Sequence, residues 1–90
     1  MTQKEIVITG GLGFIGSSFA KYLDKKVKNH KIIIIDKSKK NKKKFKYKSS
    51  NNKIIIIICN TLQIENKLSK YKKIIALFHF GEFSRIVRSF

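Results

Sequence analysis

Residues 9–16 read Thr-Gly-Gly-Leu-Gly-Phe-Ile-Gly, directly after the apolar run Ile6-Val7-Ile8. The stretch reads as a strand that stops abruptly, turns on glycines and opens a helix. Glycine serves two purposes in such a turn. It accepts φ > 0, and it has no Cβ to keep a diphosphate away from bare backbone N–H groups. Two registers fit: Gly11, Gly13 and Gly16 match Gly-x-Gly-x-x-Gly, and Gly10, Gly13 and Gly16 match Gly-x-x-Gly-x-x-Gly. The candidate cofactor-binding residues of the turn are therefore Gly10, Gly11, Gly13, Phe14, Ile15 and Gly16. A glycine turn with no ligand is the competing reading. A glycine pattern alone is weak evidence, so its flanks decide.

Downstream, Ile15, Phe19, Tyr22, Leu23 and Val27 recur at spacings of three and four. They predict one apolar face of a helix over about 14–28, with Tyr22 turned against a sheet. The run Lys31-Ile32-Ile33-Ile34-Ile35-Asp36 follows, and its four isoleucines predict a strand buried on both faces. Asp36 closes it about 20 residues after Gly16, where a dinucleotide-binding βαβ unit carries its acid. A carboxylate there can accept from both hydroxyls of the adenosine ribose and repels a 2′-phosphate, which favours NAD over NADP. Lys37 and Lys39 stand beside it and soften that preference. Asp36 as a solvated strand-end acid is the plainer alternative.

Thr9 to Ser17 resembles the opening of the NAD-dependent epimerase/dehydratase family, extended short-chain dehydrogenases that mostly act on nucleotide sugars. His79-Phe80-Gly81-Glu82-Phe83-Ser84 is similar to the segment ending that family's fourth strand, with Gly81 and Glu82 replacing its usual small pair. The resemblance implies a partial Rossmann fold of α/β class, with a parallel sheet of about four strands in order 3-2-1-4 and flanking helices. It implies that residues 1–90 are the N-terminal NAD-binding part of a UDP-glucose 4-epimerase-like enzyme. The catalytic tyrosine and lysine and the sugar-nucleotide region would then lie beyond the chain, leaving it truncated and inactive alone. Asn60, where relatives usually place an Asp, would face the adenine beside Thr61, although either residue also suits a helix cap. Phe80 and Gly81 would lie against the pyrophosphate and the nicotinamide ribose.

The remainder continues the βαβ rhythm. Residues 37–53 predict a polar connection, with an extra short helix or strand around 45–48 left open. Ile54 to Ile58 predict a third strand, Ile64, Leu68 and Tyr71 a second amphipathic helix, and 73–80 a fourth strand. The pair Tyr22 and Lys26 has a catalytic spacing, but it falls in the helix after the turn and reads as coincidence. His79 reads as a packed strand histidine, His30 as exposed and Cys59 as a buried thiol. No cluster suggests a metal site.

The net charge is +16 and the pI about 10.2. Such values point toward nucleic acid or anionic membranes. Yet the chain is rich in Lys, Ile and Asn throughout, residues with AT-rich codons, so codon composition alone accounts for the charge. The dense run from Lys37 to Lys48 includes Phe45 and Tyr47, which a nucleic-acid-binding protein could stack on bases. The expected partners are a dinucleotide cofactor and, in full-length relatives, a nucleotide sugar. Salt-sensitive polyanion binding is expected, but no specific nucleic acid. No apolar run approaches a membrane span, no signal-peptide pattern opens the chain, and the single cysteine excludes an internal disulfide. The cytoplasm is the expected location. A non-catalytic nucleotide-binding module and a basic nucleic-acid-binding protein remain the alternatives.

Overall fold

The computed structural model describes residues 4–10, 12–49 and 51–80. Strand β1 (Lys4–Thr9) leads into helix α1 (Phe14–Lys26), strand β2 (His30–Asp36) and helix α2 (Lys39–Lys44). Strand β3 (Lys53–Ile58), a 3₁₀ turn (Thr61–Gln63), helix α3 (Ile64–Leu68) and strand β4 (Ile74–His79) complete the order. The four strands form one parallel sheet in the order β3-β2-β1-β4. This is the α/β arrangement of a partial Rossmann fold that the strand pattern predicts.

Side-chain alternation splits the core in two. Ile8, Ile32 and Ile34 meet Leu12, Ala20 and, at their margin, Phe19, Leu23, Val27 and Phe45. On the other face Val7, Ile33, Ile35 and Cys59 meet Ile64, Leu68 and Tyr71. Helices α1 and α2 thus cover one face and α3 the other. Ile32 to Ile35 are all but inaccessible because both faces of β2 are covered, so a continuous isoleucine run fits where an alternating strand would not.

Three local expectations are corrected. Helix α1 ends at Lys26 rather than near 28, with Val27 already extended. Ile15 and Tyr22 are 67% and 56% exposed and do not share the packed face. At about 100° per residue they lie well to one side of the face made by Gly16, Ala20 and Leu23. Tyr22 instead lies beneath the Lys26 ammonium, 5.4 Å from its ring centre. Second, the polar connection holds α2 at 39–44, not an element at 45–48. Ser38 caps it, its side chain accepting from Asn41 N at 3.1 Å. Third, the helix predicted through Tyr71 is a 3₁₀ turn and a five-residue helix, which Tyr71 N closes by donating to Leu68 O. No helix among the described residues is long and apolar enough to cross a membrane.

Asp24 on α1 is buried and gathers the chain that follows α2. Its carboxylate accepts from Tyr47 Oη at 2.6 Å, from Ser49 Oγ, and from Asn52 Nδ2 at 2.7 Å. Asn52 Nδ2 also donates to the Asp24 and Val27 carbonyls, and Asn52 Oδ1 accepts from His30 N. This one carboxylate therefore ties α1 to the approach to β3.

Burial alone would raise the Asp24 pKa, but hydrogen bonds from Asn52, Ser49 and Tyr47, helped by the Lys25 charge, bring it below the ordinary value. The same contact raises the Tyr47 pKa, through the hydrogen bond first and desolvation second. Because the folded state holds the Asp24 proton less tightly than the unfolded chain, the stabilisation is complete above the unfolded carboxyl value of about 3.9. It is lost as pH falls through the lower native value. Asp24→Ala should cost about 2–4 kcal/mol, since it strands buried donors. Urea midpoints measured from pH 7 down to 2 should show a loss below about pH 4 in the parent that is missing from Asp24→Ala.

Candidate dinucleotide site

The site forms where β1 and β2 end side by side. Thr9 pairs with Ile35, and Gly10 N donates to Ile35 O at 2.7 Å. Gly10 then turns with φ 69°, a conformation side chains resist, and its carbonyl accepts from Gly13 N at 3.3 Å. Gly13 is the N-cap of α1, and Ser17 N donates to its carbonyl at 2.8 Å. No side chain caps the helix and no acid lies in its first turn. Ser17 and Ser18 donate their hydroxyls to Phe14 O and so leave the first-turn amides alone. The positive end of a thirteen-residue helix thus faces outward beside the turn, an arrangement suited to an anion.

Gly13 itself shows what the turn leaves room for. A Cβ there would meet nothing closer than Gly10 O at 3.6 Å, an ordinary contact, and Gly13 φ is −72°. Neither packing nor backbone conformation demands glycine at this position. The open space where a Cβ would stand has room for the diphosphate of a dinucleotide.

Asp36 is half-buried at the end of β2. Its Oδ2 accepts from Leu12 N at 3.1 Å and its Oδ1 from Ser38 N at 3.0 Å. The carboxylate is thereby fixed between the glycine turn and the cap of α2, and each oxygen retains a lone pair for a ribose hydroxyl. The Ser38 amide is a local turn contact two residues on, whereas the Leu12 amide is brought to the acid only by the fold. Lys37 is exposed beside it.

The other predicted positions are placed unevenly. Phe14 and Ile15 are exposed at the start of α1, and Gly16 is buried beneath them. Asn60 Oδ1 accepts from Gln63 N while Gln63 Oε1 accepts from Asn60 N, a reciprocal cap on the 3₁₀ turn that opens at Thr61. Phe80 N donates to Thr9 O, which extends β4 along β1, but its ring packs 5.1 Å from that of Phe19 on the α1 face. His79 Nδ1 shares a hydrogen bond with Thr9 Oγ1 across the two strand ends. Gly11 and Gly81 lie outside the described residues. Among the described residues no group of three His, Cys, Asp or Glu is placed to hold a metal.

Next to the turn, a groove of about 340 Å³ runs between α1 and the α2 segment. Leu12, Gly13, Phe14, Ser17, Lys21, Asn41 and Phe45 line it. Lys21 and Asn41 carry no sequence signal for this role, because they meet only through the packing of α1 on α2.

A parallel sheet with the order 3-2-1-4, a glycine turn onto an uncapped helix, and an acid at the second strand end together define a Rossmann-type dinucleotide-binding domain. The chain belongs to the family of the saccharopine dehydrogenase NADP-binding domain, which it matches over residues 6–76. It is also similar to dTDP-D-glucose 4,6-dehydratase of Dictyostelium discoideum, with 65% identity over 34 residues. That stretch is 38% of this chain and 8% of the dehydratase, so the chain spans only a small part of this relative.

Gly13→Ala separates fold from site. Its thermal midpoint should change little, since alanine in place of glycine at an N-cap costs about 1 kcal/mol or less. Dinucleotide affinity measured by calorimetry should fall by at least about tenfold, equivalent to 1.4 kcal/mol.

Proposed function

We propose that the chain is the NAD-binding part of an enzyme acting on a nucleotide sugar, of the dehydratase or epimerase type. The observation that carries the cofactor reading is the fixed carboxylate of Asp36. Held by Leu12 N and Ser38 N, it cannot swing away from a 2′-phosphate, whereas two ribose hydroxyls would find it already oriented. The turn at Gly10 and Gly13 would hold the diphosphate on backbone amides, with Phe14 and Ile15 at the mouth. Asn60 keeps a side-chain NH₂ for the adenine, its oxygen being engaged in the cap. The bound nicotinamide would supply hydride acceptance and return. The residues of this chain would bind and orient the cofactor for it.

The sugar-nucleotide reading is supported by the 65% identity with the dTDP-D-glucose 4,6-dehydratase, and by the resemblance of Thr9 to Ser17 to nucleotide-sugar epimerases and dehydratases. The family matched over residues 6–76 is described by NADP. The charge at Asp36 argues for NAD in this chain, with Lys37 and Lys39, its neighbours in sequence, opposing that preference.

Parallel calorimetric titrations with NAD and NADP test the cofactor. The parent should prefer NAD. Asp36→Ser should lose about 1–3 kcal/mol of NAD binding, the value of hydrogen bonds to a charged group, and should shift preference toward NADP. A parent that prefers NADP overturns the assignment, and binding of neither cofactor overturns the site.

A further inference from the structure

Between Phe14 and Lys53 the sequence holds 14 lysines and two acids, Asp24 and Asp36. The fold uses both acids internally. Asp24 is buried among Tyr47, Ser49 and Asn52, and Asp36 holds two backbone amides. The layer formed by α1, α2 and the segment leading to β3 therefore presents ammonium groups with no exposed carboxylate among its described residues. Lys21 and Lys25 on α1, and Lys39, Lys40, Lys42 and Lys43 on α2, are all exposed. The two helices are joined at this surface, since Lys21 Nζ lies 5.9 Å from the ring centres of both Phe45 and Tyr47.

Those two rings bear on what such a surface can hold. Phe45 packs against the core beneath α2, and Tyr47 Oη donates to Asp24. Both rings are half-buried and the Lys21 ammonium lies over each, so little open ring surface is left for the base stacking on which single-strand binding relies. What remains is a dense, one-signed layer on a helical surface. A phosphodiester duplex, with one charge per ~1.7 Å of axis, is its closest electrostatic complement. An acidic protein surface spreads its carboxylates among cations and neutral groups and complements such a layer less well.

We infer that the α1/α2 layer binds the phosphate backbone of double-stranded nucleic acid, without reading sequence, as an interaction separate from the dinucleotide site. Codon composition accounts for the number of lysines. It does not account for the internal use of Asp24 and Asp36, which the fold brings about and which leaves this face without an exposed carboxylate among its described residues.

The test uses the full chain, a labelled 20-base-pair duplex, the matching single strand and polyglutamate of equal length. Fluorescence anisotropy is followed from 50 to 300 mM salt. Two triple variants remove the same charge from opposite faces. One combines Lys39→Gln, Lys40→Gln and Lys43→Gln, and the other Lys67→Gln, Lys70→Gln and Lys72→Gln. Glutamine keeps helix propensity close to that of lysine, and thermal midpoints of both variants check the fold. The α2 triple should lower the salt slope for duplex by about 2–3 and affinity at 100 mM salt by at least about tenfold. The α3-side triple should change affinity by less than about threefold, and the duplex should bind tighter than either competitor. Equal effects of the two triples would reduce the binding to net charge and overturn the proposal. Preference for the single strand, or equal binding of polyglutamate, would overturn it as well.

Discussion

The parallel pairing of β1 with β2 is the constraint on which the other features rest. Ile8 stands opposite Ile34 and Thr9 opposite Ile35, so the two strands finish flush. Gly10 must turn there because its N–H completes the ladder to Ile35 O, while the chain has to leave the sheet for α1. The same flush ending brings Asp36 within reach of Leu12 N. A one-residue slip would reverse which isoleucines face α1 and which face α3, separating the acid from the turn. Burial does not choose between the registers, since either hides the same isoleucine run; the contacts at the aligned ends, Gly10 N to Ile35 O and Leu12 N to Asp36, do.

In a chain this basic, the few acids carry disproportionate structural weight. Glu5 is buried at the start of β1 and its Oε1 accepts from Lys73 N at 2.8 Å, while Glu5 N donates to Lys73 O. It thereby fixes the entry of β4. Asp24 holds the approach to β3, and Asp36 joins β2 to the glycine turn and to α2. Each accepts hydrogen bonds from groups that would otherwise stay unsatisfied, which is how a buried carboxylate becomes tolerable. Their internal use is also what leaves the outer surface so one-sided in charge.

The site was legible where chemistry depends on local spacing. The glycine turn, the acid about 20 residues on, and the strand runs are short-range patterns, and the sheet order follows from parallel βαβ units with a change of direction at β1. Less was legible on α1. Spacing of three and four places Ile15 and Tyr22 with Phe19 and Leu23, but a sheet contacts only part of such a broad stripe, and these two fall beyond its edge. The lysine-rich α2 was hidden for a different reason. Its residues have no apolar period, and its stability comes from the Ser38 cap and from Phe45 packing below it.

The sequence by itself determined the order of elements, the position of the turn and the acid that closes β2, because each is written in neighbouring residues and the backbone they favour. Only the tertiary structure decided which groups those residues meet. Asp24 finds Tyr47, Ser49 and Asn52, more than 20 residues away, because the crossover from β2 to β3 lays that segment along α1. Asp36 finds Leu12 because β1 and β2 end side by side, and Phe45 packs against the core because α2 folds back along α1. Hydrogen bonds and packing between distant segments depend on where the chain returns to the sheet, and that is set by the burial of the whole molecule rather than by any local pattern.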